Sequence, residues 1–496
     1  MNREFDMIAK TLGGLEEILA EELMALGANN VQIGRRMVSF TGDKEMLYKA
    51  NFCLRTAIRV LKPIKQFTAK TADEVYDLVK AIDWSEYLDT KKTFAVDSVV
   101  YSEEFRHSGF VAYKVKDAIV DFFREKEGDR PNVRIIKPDV LINIHISHTD
   151  CTVSLDSSGE SLHRRGYRQE AVEAPLNEVL AAGIILMTGW RGECDLIDPM
   201  CGSGTIPIEA ALIARNIAPG VFRKEYAFEK WPDFDQELFD RIYNDDSQER
   251  EFEHKIYGYD NNPKANEIAT HNVKAAGLSK DIVLKIQPFQ QFEQPAEKSV
   301  IITNPPYGER ISTNDLLGLY EAIGERLKHA FVGGNAWILS YRKECFDKIG
   351  LKATEKTPLF NGALECELRK YEIFDGKYRE FRKTDELDKG DSSEKKFHKG
   401  GDRKPERRER KEGGDRPRRF DRKKSFEGDE RRERFEHKRR FDDDERGERR
   451  EHKKHRDGDE RREHRERKER YEGKRDFKGS NERKFDKKKF NHKDND

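Results

Sequence analysis

From about residue 161 the chain alternates short apolar runs with stretches of helical spacing, and few folds can bury such a pattern. Leu176–Met187 reads as an apolar helix, Asp195–Pro199 as a short strand, and Pro207–Arg215 as a helix. Strand Ile256–Asp260 and helix Pro263–Ala276 follow, then strands Val283–Ile286 and Val300–Thr303. Helix Leu316–Phe331, strand Ala336–Ser340 and a late alternating strand, Leu364–Phe374, complete the run. Near-continuous apolar strands separated by helices belong in a mainly parallel sheet with helices on both faces. The expected fold is therefore α/β, Rossmann-like and doubly wound, over residues 161–378. Residues 221–252, rich in Phe, Trp and acids, read as an insertion.

Two smaller α+β units precede it. In residues 1–65 the spacing predicts a strand at Glu4–Lys10, a helix at Leu15–Leu26 closed by Gly27, a strand at Val31–Phe40, a helix at Lys44–Arg55 and an extended run at Ile58–Ile64. In residues 66–160 it predicts helices at Ala72–Ile82 and Val111–Arg124, a strand at Thr93–Tyr101, and a hairpin turning at His148-Thr149-Asp150. The edge of that hairpin would offer a docking place.

Charge divides the chain again. Residues 381–496 hold 45 Lys+Arg against 34 Asp+Glu, so a tail of net +11 follows a body of net −11. Beyond Leu387 there is no Leu, Ile, Val, Ala, Met, Cys or Trp. Such a segment cannot bury enough apolar area to offset chain entropy, so residues 379–496 are expected to be a disordered charged tail. Its Phe residues beside Arg and Lys suit non-specific contact with RNA, by charge and by stacking. The six cysteines are scattered without a C-x-x-C pair, which argues against zinc and disulfides and for a reducing cytosol. No apolar leader or membrane-length stretch is visible, so the expectation is a cytoplasmic protein with no membrane association and no metal.

Two motifs carry chemistry. The first is Asp198-Pro199-Met200-Cys201-Gly202-Ser203-Gly204-Thr205, where a strand runs through a Gly-rich turn into a helix. Backbone N–H groups and a helix N-terminus there can cradle a polar ligand. The segment lacks the lysine of a nucleotide triphosphatase loop and is not the G-x-G-x-x-G of nicotinamide enzymes. Asp260 ends the next strand, where an acid commonly binds ribose hydroxyls. A plain tight turn with Asp260 as a helix cap is the alternative; an acid at that place favours a nucleoside-like cofactor.

The second motif is Asn304-Pro305-Pro306-Tyr307, at the carboxyl end of strand Val300–Thr303, where ligands of such sheets bind. The Asn304 side-chain oxygen and the Pro305 carbonyl can accept both hydrogens of a conjugated exocyclic amine and orient its lone pair. Consecutive prolines stiffen the loop and remove competing N–H donors. Tyr307 can stack on a base drawn out of its helix.

Other residues are less specific. Cys201 lies within the cradle with no base beside it, as a packing residue rather than a nucleophile. Arg164, Arg165 and Arg168, with His163, could touch RNA phosphates or form a solvated linker. Glu209 reads as an acid on the exposed face of its helix, and Glu309-Arg310 as an ion pair or a base contact.

These residues resemble the class I S-adenosylmethionine-dependent RNA methyltransferases that carry a THUMP domain, and most of all the bacterial 23S rRNA guanine-N2 methyltransferases. The likeness covers residues 1 to about 375. It rests on Leu162-His163-Arg164-Arg165-Gly166-Tyr167-Arg168 with Ala174-Pro175-Leu176, on the Asp198–Thr205 loop, and on Asn304-Pro305-Pro306-Tyr307-Gly308-Glu309-Arg310. It implies a ferredoxin-like domain at 1–65, a THUMP RNA-binding domain at 66–160 and a methyltransferase domain at 161–378. It implies S-adenosyl-L-methionine at Asp198, Cys201, Gly202, Gly204, Thr205 and Asp260, and a target base at Asn304, Pro305, Pro306 and Tyr307. The implied partner is 23S ribosomal RNA or a precursor of the large ribosomal subunit. Many relatives carry an Asp on the loop after the third strand, against the cofactor adenine; here Pro288 stands there, with Gln287 or a backbone carbonyl as the substitute. Adenine-N6 methylation of RNA or DNA, and an RNA-binding role in ribosome assembly, stay open beside guanine-N2 methylation.

Overall fold

A computed structural model describes residues 4–172, 174–292, 298–308 and 313–374. The expectations for the tail at 379–496 and for Glu309-Arg310 lie outside the described residues.

The front half runs β1 (Phe5–Lys10), α1 (Glu16–Ala25), β2 (Asn29–Gly34), β3 (Met37–Gly42), α2 (Lys44–Cys53), β4 (Arg59–Thr68), α3 (Ala72–Lys80), β5 (Thr93–Tyr101), α4 (Ser108–Glu127), β6 (Asn132–Val133), β7 (Val140–Ser147) and β8 (Asp150–Asp156). The stretch expected as one strand at Val31–Phe40 is a tight hairpin. Arg35 and Arg36 turn between β2 and β3, and Arg36 takes the positive φ (+54°) that a two-residue connection requires. Two arginines give no turn signal in sequence.

The two front units share one sheet, ordered β2-β3-β1-β4-β8-β7-β5-β6. The long strand β4 pairs with β1 through Leu61 and with β8 along Leu61–Thr68, so the boundary expected near residue 65 falls within a strand. The same pairing corrects the expected docking edge. The β7–β8 hairpin is interior, covered by β4 on one side and β5 on the other.

The second half runs α5 (Glu178–Met187), β9 (Asp195–Asp198), α6 (Thr205–Ala214), α7 (Gln236–Tyr243), β10 (Ile256–Asp260), α8 (Pro263–Ala275), β11 (Ile282–Ile286), β12 (Ser299–Thr303), α9 (Thr313–Ala330), β13 (Asn335–Ser340), α10 (Lys343–Lys348), β14 (Glu355–Asn361) and β15 (Leu364–Glu372). Its sheet order is β11-β10-β9-β12-β13-β15-β14, parallel through β13 and antiparallel over the last pairs. Strand β14 escapes a sequence reading because it is an edge strand interrupted by Pro358, with the charged and polar Glu355, Lys356 and Thr357 before it.

The insertion at 221–252 has a structural purpose. Phe228, Trp231 and Phe239 leave the second half to join the core of the front half. Phe228 stacks on Tyr48 of α2 with centroids 4.4 Å apart, and Phe239 meets both rings edge-on. Each ring buried this way stabilises the union of the halves by roughly 1.5–3 kcal/mol.

Candidate active site

Strands β9 and β12 are neighbours, with Ile197 paired to Ile301, and the chain winds away from them in opposite directions. A crevice opens at such a switch point, beyond the carboxyl ends of the strands. Asp198 ends β9 and Thr303 ends β12, so both motifs arrive at the same place. Thr303 donates its hydroxyl hydrogen to Asp198 Oδ1 at 3.0 Å, and Met200 N donates to the same oxygen at 3.2 Å. Asp198 is 1% exposed. Burial, with the Asp260 charge adding to it, pushes its carboxyl up to about 7.

The Gly-rich loop is laced to β10. Cys201 N donates to Tyr259 O at 2.8 Å, and Gly202 N to Asp260 Oδ2 at 3.0 Å. The other Asp260 oxygen accepts from Asn262 N at 2.8 Å. The two glycines do different jobs. At Gly202 (φ +54°) a Cβ would meet nothing nearer than Val172 at 3.7 Å, leaving room for a ligand to approach the backbone. At Gly204 (φ +84°) a Cβ would press on Ala269 of α8 at 3.3 Å, so this glycine lets the loop pack on that helix. Cys201 is buried, its thiol pushed well up by burial, and it packs towards Gly258. That suits packing, not nucleophilic chemistry.

Three expectations about charged residues are corrected. Arg165, considered for RNA phosphates, is 2% exposed; it pairs with Glu209 at 3.3 Å and donates to Leu162 O and Arg55 O. Glu209, expected on an exposed face, is fully buried and also accepts from Tyr167 at 2.9 Å. Arg168 faces the Gly-rich loop, donating to Ser203 Oγ at 3.1 Å, Thr205 Oγ1 at 3.0 Å, Leu176 O at 3.0 Å and Glu178 at 2.8 Å. Burial, then its arginine neighbours, hold His163 down at about 4, so its ring is neutral and brings no charge to a phosphate. Arg164 alone of the three arginines is exposed, paired with Glu160 at 2.7 Å.

Sequence reasoning missed Asn272. It is 1% exposed, accepts from Gln169 N at 2.9 Å and donates to Ser203 O at 3.0 Å, tying the chain entering the domain to the loop. Its signal was a polar residue among the buried Ile268, Ala269 and Val273 of α8.

On the other side of the crevice, Asn304 is half-buried, Pro305 buried, Pro306 exposed and Tyr307 half-buried. The Tyr307 hydroxyl donates to Asn304 Oδ1, and its ring stands edge-on to Tyr341, centroids 5.2 Å apart. Gly308 (φ +95°) turns the loop towards α9, where a Cβ would collide with Leu316 at 2.7 Å. Beside the cradle, Gln287 N donates to Asp260 O at 3.0 Å and Gln287 Nε2 to Gln291 O at 2.8 Å. Gln287 thus uses one side-chain N–H internally, while Pro288 precedes a single 3-10 turn at Phe289–Gln291. Among the described residues no group of three or more His, Cys, Asp and Glu is arranged to hold a metal, and no helix is long and apolar enough to cross a membrane.

Gly202, where an added Cβ would have room, sits between Asp198 at the end of β9 and Asp260 at the end of β10. This sheet, parallel through β13 with its last pairs antiparallel, together with the match to a methyltransferase domain model, defines an S-adenosylmethionine-dependent methyltransferase of the Rossmann-like class. Comparison with known proteins carries this further. The model of an RMKL-like methyltransferase domain matches residues 165–370, a THUMP domain model matches 69–156, and an RlmL ferredoxin-like domain model matches 6–61. A Synechocystis sp. protein named as an RNA methyltransferase is 40% identical over 364 residues, covering 73% of this chain and 95% of that one. The ribosomal RNA large subunit methyltransferase K/L of Syntrophotalea carbinolica is 40% identical over 392 residues, 76% of this chain and 55% of that one. This chain therefore spans about half the length of that relative. The structure of SMU.472, described as a methyltransferase complexed with SAH, is 32% identical with a TM-score of 0.68, covering 76% of this chain and 100% of that one. The chain belongs to the family of RMKL-like methyltransferases that carry ferredoxin-like and THUMP domains, and S-adenosylmethionine is its methyl donor.

Proposed function

We propose that this chain methylates the exocyclic N2 amine of a guanine in 23S ribosomal RNA, either free or in a precursor of the large subunit. The observation that carries the reading is the placement of Asn304 and Pro305 at the end of β12, joined to the cofactor loop through Thr303 and Asp198. When bound, S-adenosylmethionine supplies an electrophilic methyl carbon on a sulfonium. Asp198, Gly202, Thr205 and Asp260 hold it in the cradle. Asn304 Oδ1 and the Pro305 carbonyl accept the two hydrogens of the target amine. The nitrogen lone pair, otherwise drawn into the ring, is thereby aimed at the methyl carbon for in-line attack. The new N–C bond forms as the S–C bond breaks, and one amine proton leaves to water. Tyr307 must first release Asn304 Oδ1, and its ring is then placed to stack on the flipped base. The name of the K/L relative speaks for a large-subunit RNA substrate, and the THUMP match for RNA over DNA.

Nucleoside mass spectrometry of ribosomal RNA, with and without the gene, tests the reading. Loss of N2-methylguanosine from 23S RNA supports it. Loss of N6-methyladenosine instead, or no change, overturns it.

A further inference from the structure

Asn304 and Pro305 recognise an amine, and both guanine N2 and adenine N6 are amines. A group elsewhere on the rim must tell the bases apart. The side of the crevice away from the cofactor loop is the carboxyl end of β13, which pairs with β12 through Thr303 and Ile338. Tyr341 and Arg342 follow directly. Arg342 N donates to Ser340 Oγ at 3.3 Å, and Ser340 Oγ in turn accepts from Tyr320 at 3.1 Å, which fixes the turn. Tyr341 stands against Tyr307, the residue bonded to Asn304.

The Arg342 guanidinium lies beside the amine-gripping loop. A Cβ on Gly308 would be 3.6 Å from its Cζ and from Nη2. Arg342 Nε donates to Tyr341 Oη at 3.1 Å, which orients the fork. Among the described residues its carboxylate neighbour is Glu344, at 3.7 Å and 57% exposed, too distant and too wet to hold the Nη groups firmly. A guanidinium so placed matches the acceptor edge of guanine.

Base chemistry makes the consequence specific. Along the ring from the guanine amine come N1 and then C6 with its carbonyl O6. Along the ring from the adenine amine come N1 and then C2, which bears only hydrogen. With the amines superposed, an acceptor on guanine occupies the place of a C–H on adenine. We infer that Arg342 is the specificity-determining residue of this site, donating to guanine O6 when N2 is held at Asn304. The inference rests on the guanine-N2 reading and goes beyond it by naming the group that enforces it.

The test uses the full chain and 2-aminopurine, which keeps the exocyclic amine of guanine but carries hydrogen in place of O6 and, with the carbonyl gone, an unprotonated N1. The methylated guanosine is first mapped in 23S RNA from gene-deleted cells treated with the enzyme; no N2-methylguanosine there sinks the guanine-N2 reading itself. 23S RNA is then assembled by ligation with guanine or 2-aminopurine at that position. The wild type should prefer guanine roughly ten- to a hundredfold in kcat/KM. Arg342→Met should lose roughly tenfold or more on guanine and little on 2-aminopurine, lowering the ratio accordingly, with S-adenosylmethionine affinity unchanged. Arg342→Lys, which keeps the charge without the fork, should retain an intermediate ratio. A wild type indifferent to O6, or variants that slow both substrates equally, overturns the assignment. The wild-type ratio and Arg342→Lys decide the matter if Arg342→Met does not fold.

Discussion

Thr303 Oγ1 lies 3.0 Å from Asp198 Oδ1, and this hydrogen bond ties the Asn304-Pro305-Pro306-Tyr307 loop to the Gly-rich loop after β9. Both residues are almost wholly buried, at 3% and 1% exposure. Thr303→Val keeps the shape of the side chain and leaves the carboxyl with one donor fewer. The loss should cost roughly 1–3 kcal/mol of stability. Cofactor affinity and turnover should fall together, because the bond serves both loops. Thermal melting, cofactor titration and single-turnover rates check this; a variant with normal affinity and slow turnover would show that the loops are positioned independently.

The same carboxyl should make the enzyme respond to pH. Burial raises Asp198 from 3.8 to about 7. A raised carboxyl favours the folded state while protonated, so its contribution is fully present below about pH 4 and is lost as pH rises through about 7. The ionised form is the better acceptor for a cofactor amine. The ligand-free enzyme should therefore lose stability across this window, while its affinity for S-adenosylmethionine rises through neutrality. Asp198→Asn should remove both slopes, and melting and titration series across the window read them directly.

The arginines that follow His163 separate surface from core. Arg164 and Glu160 are both exposed, so Arg164→Ala should change stability by no more than about 1 kcal/mol. Arg165 and Glu209 form a buried pair, and removing either partner strands a charge at a cost of about 3–5 kcal/mol. Denaturant melts should place Arg165→Ala and Glu209→Ala together, far below Arg164→Ala. RNA binding by Arg164→Ala and by the wild type, compared over a salt series, shows how much the one exposed arginine contributes.

How much of this was legible in the chain follows from the range of the interactions. Strands Thr93–Tyr101 and Ile256–Asp260 lie where alternation and flanking turns put them, because both signals are local. The two loops fall at the ends of β9 and β12, where the sequence put them, because a Gly-rich turn after a strand and Asn-Pro-Pro-Tyr after another are local signals. Arg165 was not, since its partner Glu209 is 44 residues away and nothing local to either reveals the pairing. The interior place of the β7–β8 hairpin depends on β4, more than eighty residues before β8 in the chain. Residues 221–252 read as an insertion, and no local signal showed their purpose, because the core they join belongs to the other half of the molecule.

Arg168 exemplifies a residue whose function is visible only in place. Its guanidinium spans Ser203 and Thr205 on the Gly-rich loop proposed to hold the cofactor, and Glu178 and Leu176 behind it. Arg168→Lys retains the charge but not the fork that reaches four acceptors at once. The expected result is weaker S-adenosylmethionine binding, by roughly tenfold for the loss of about 1.4 kcal/mol, with the rate of the bound complex less affected. Isothermal titration against S-adenosylhomocysteine measures the first and single turnover at saturating cofactor the second. A slower chemical step at unchanged affinity would instead place Arg168 on the RNA side.

Tyr307 and Asn304 supply the most direct examination of the amine grip. The Tyr307 hydroxyl donates to Asn304 Oδ1, the oxygen assigned to the incoming amine. Asn304→Ala removes that oxygen and should cut turnover by roughly 10²–10³ while leaving cofactor affinity near normal. Tyr307→Phe keeps the stacking ring but uncovers Oδ1, so turnover should be retained and KM for RNA should not rise. Tyr307→Ala removes the ring, and stacking worth roughly 1–3 kcal/mol should disappear as a higher KM. Steady-state kinetics on ribosomal RNA from gene-deleted cells separate the three variants. Equal damage from Tyr307→Phe and Tyr307→Ala would assign the hydroxyl, rather than the ring, to holding the base.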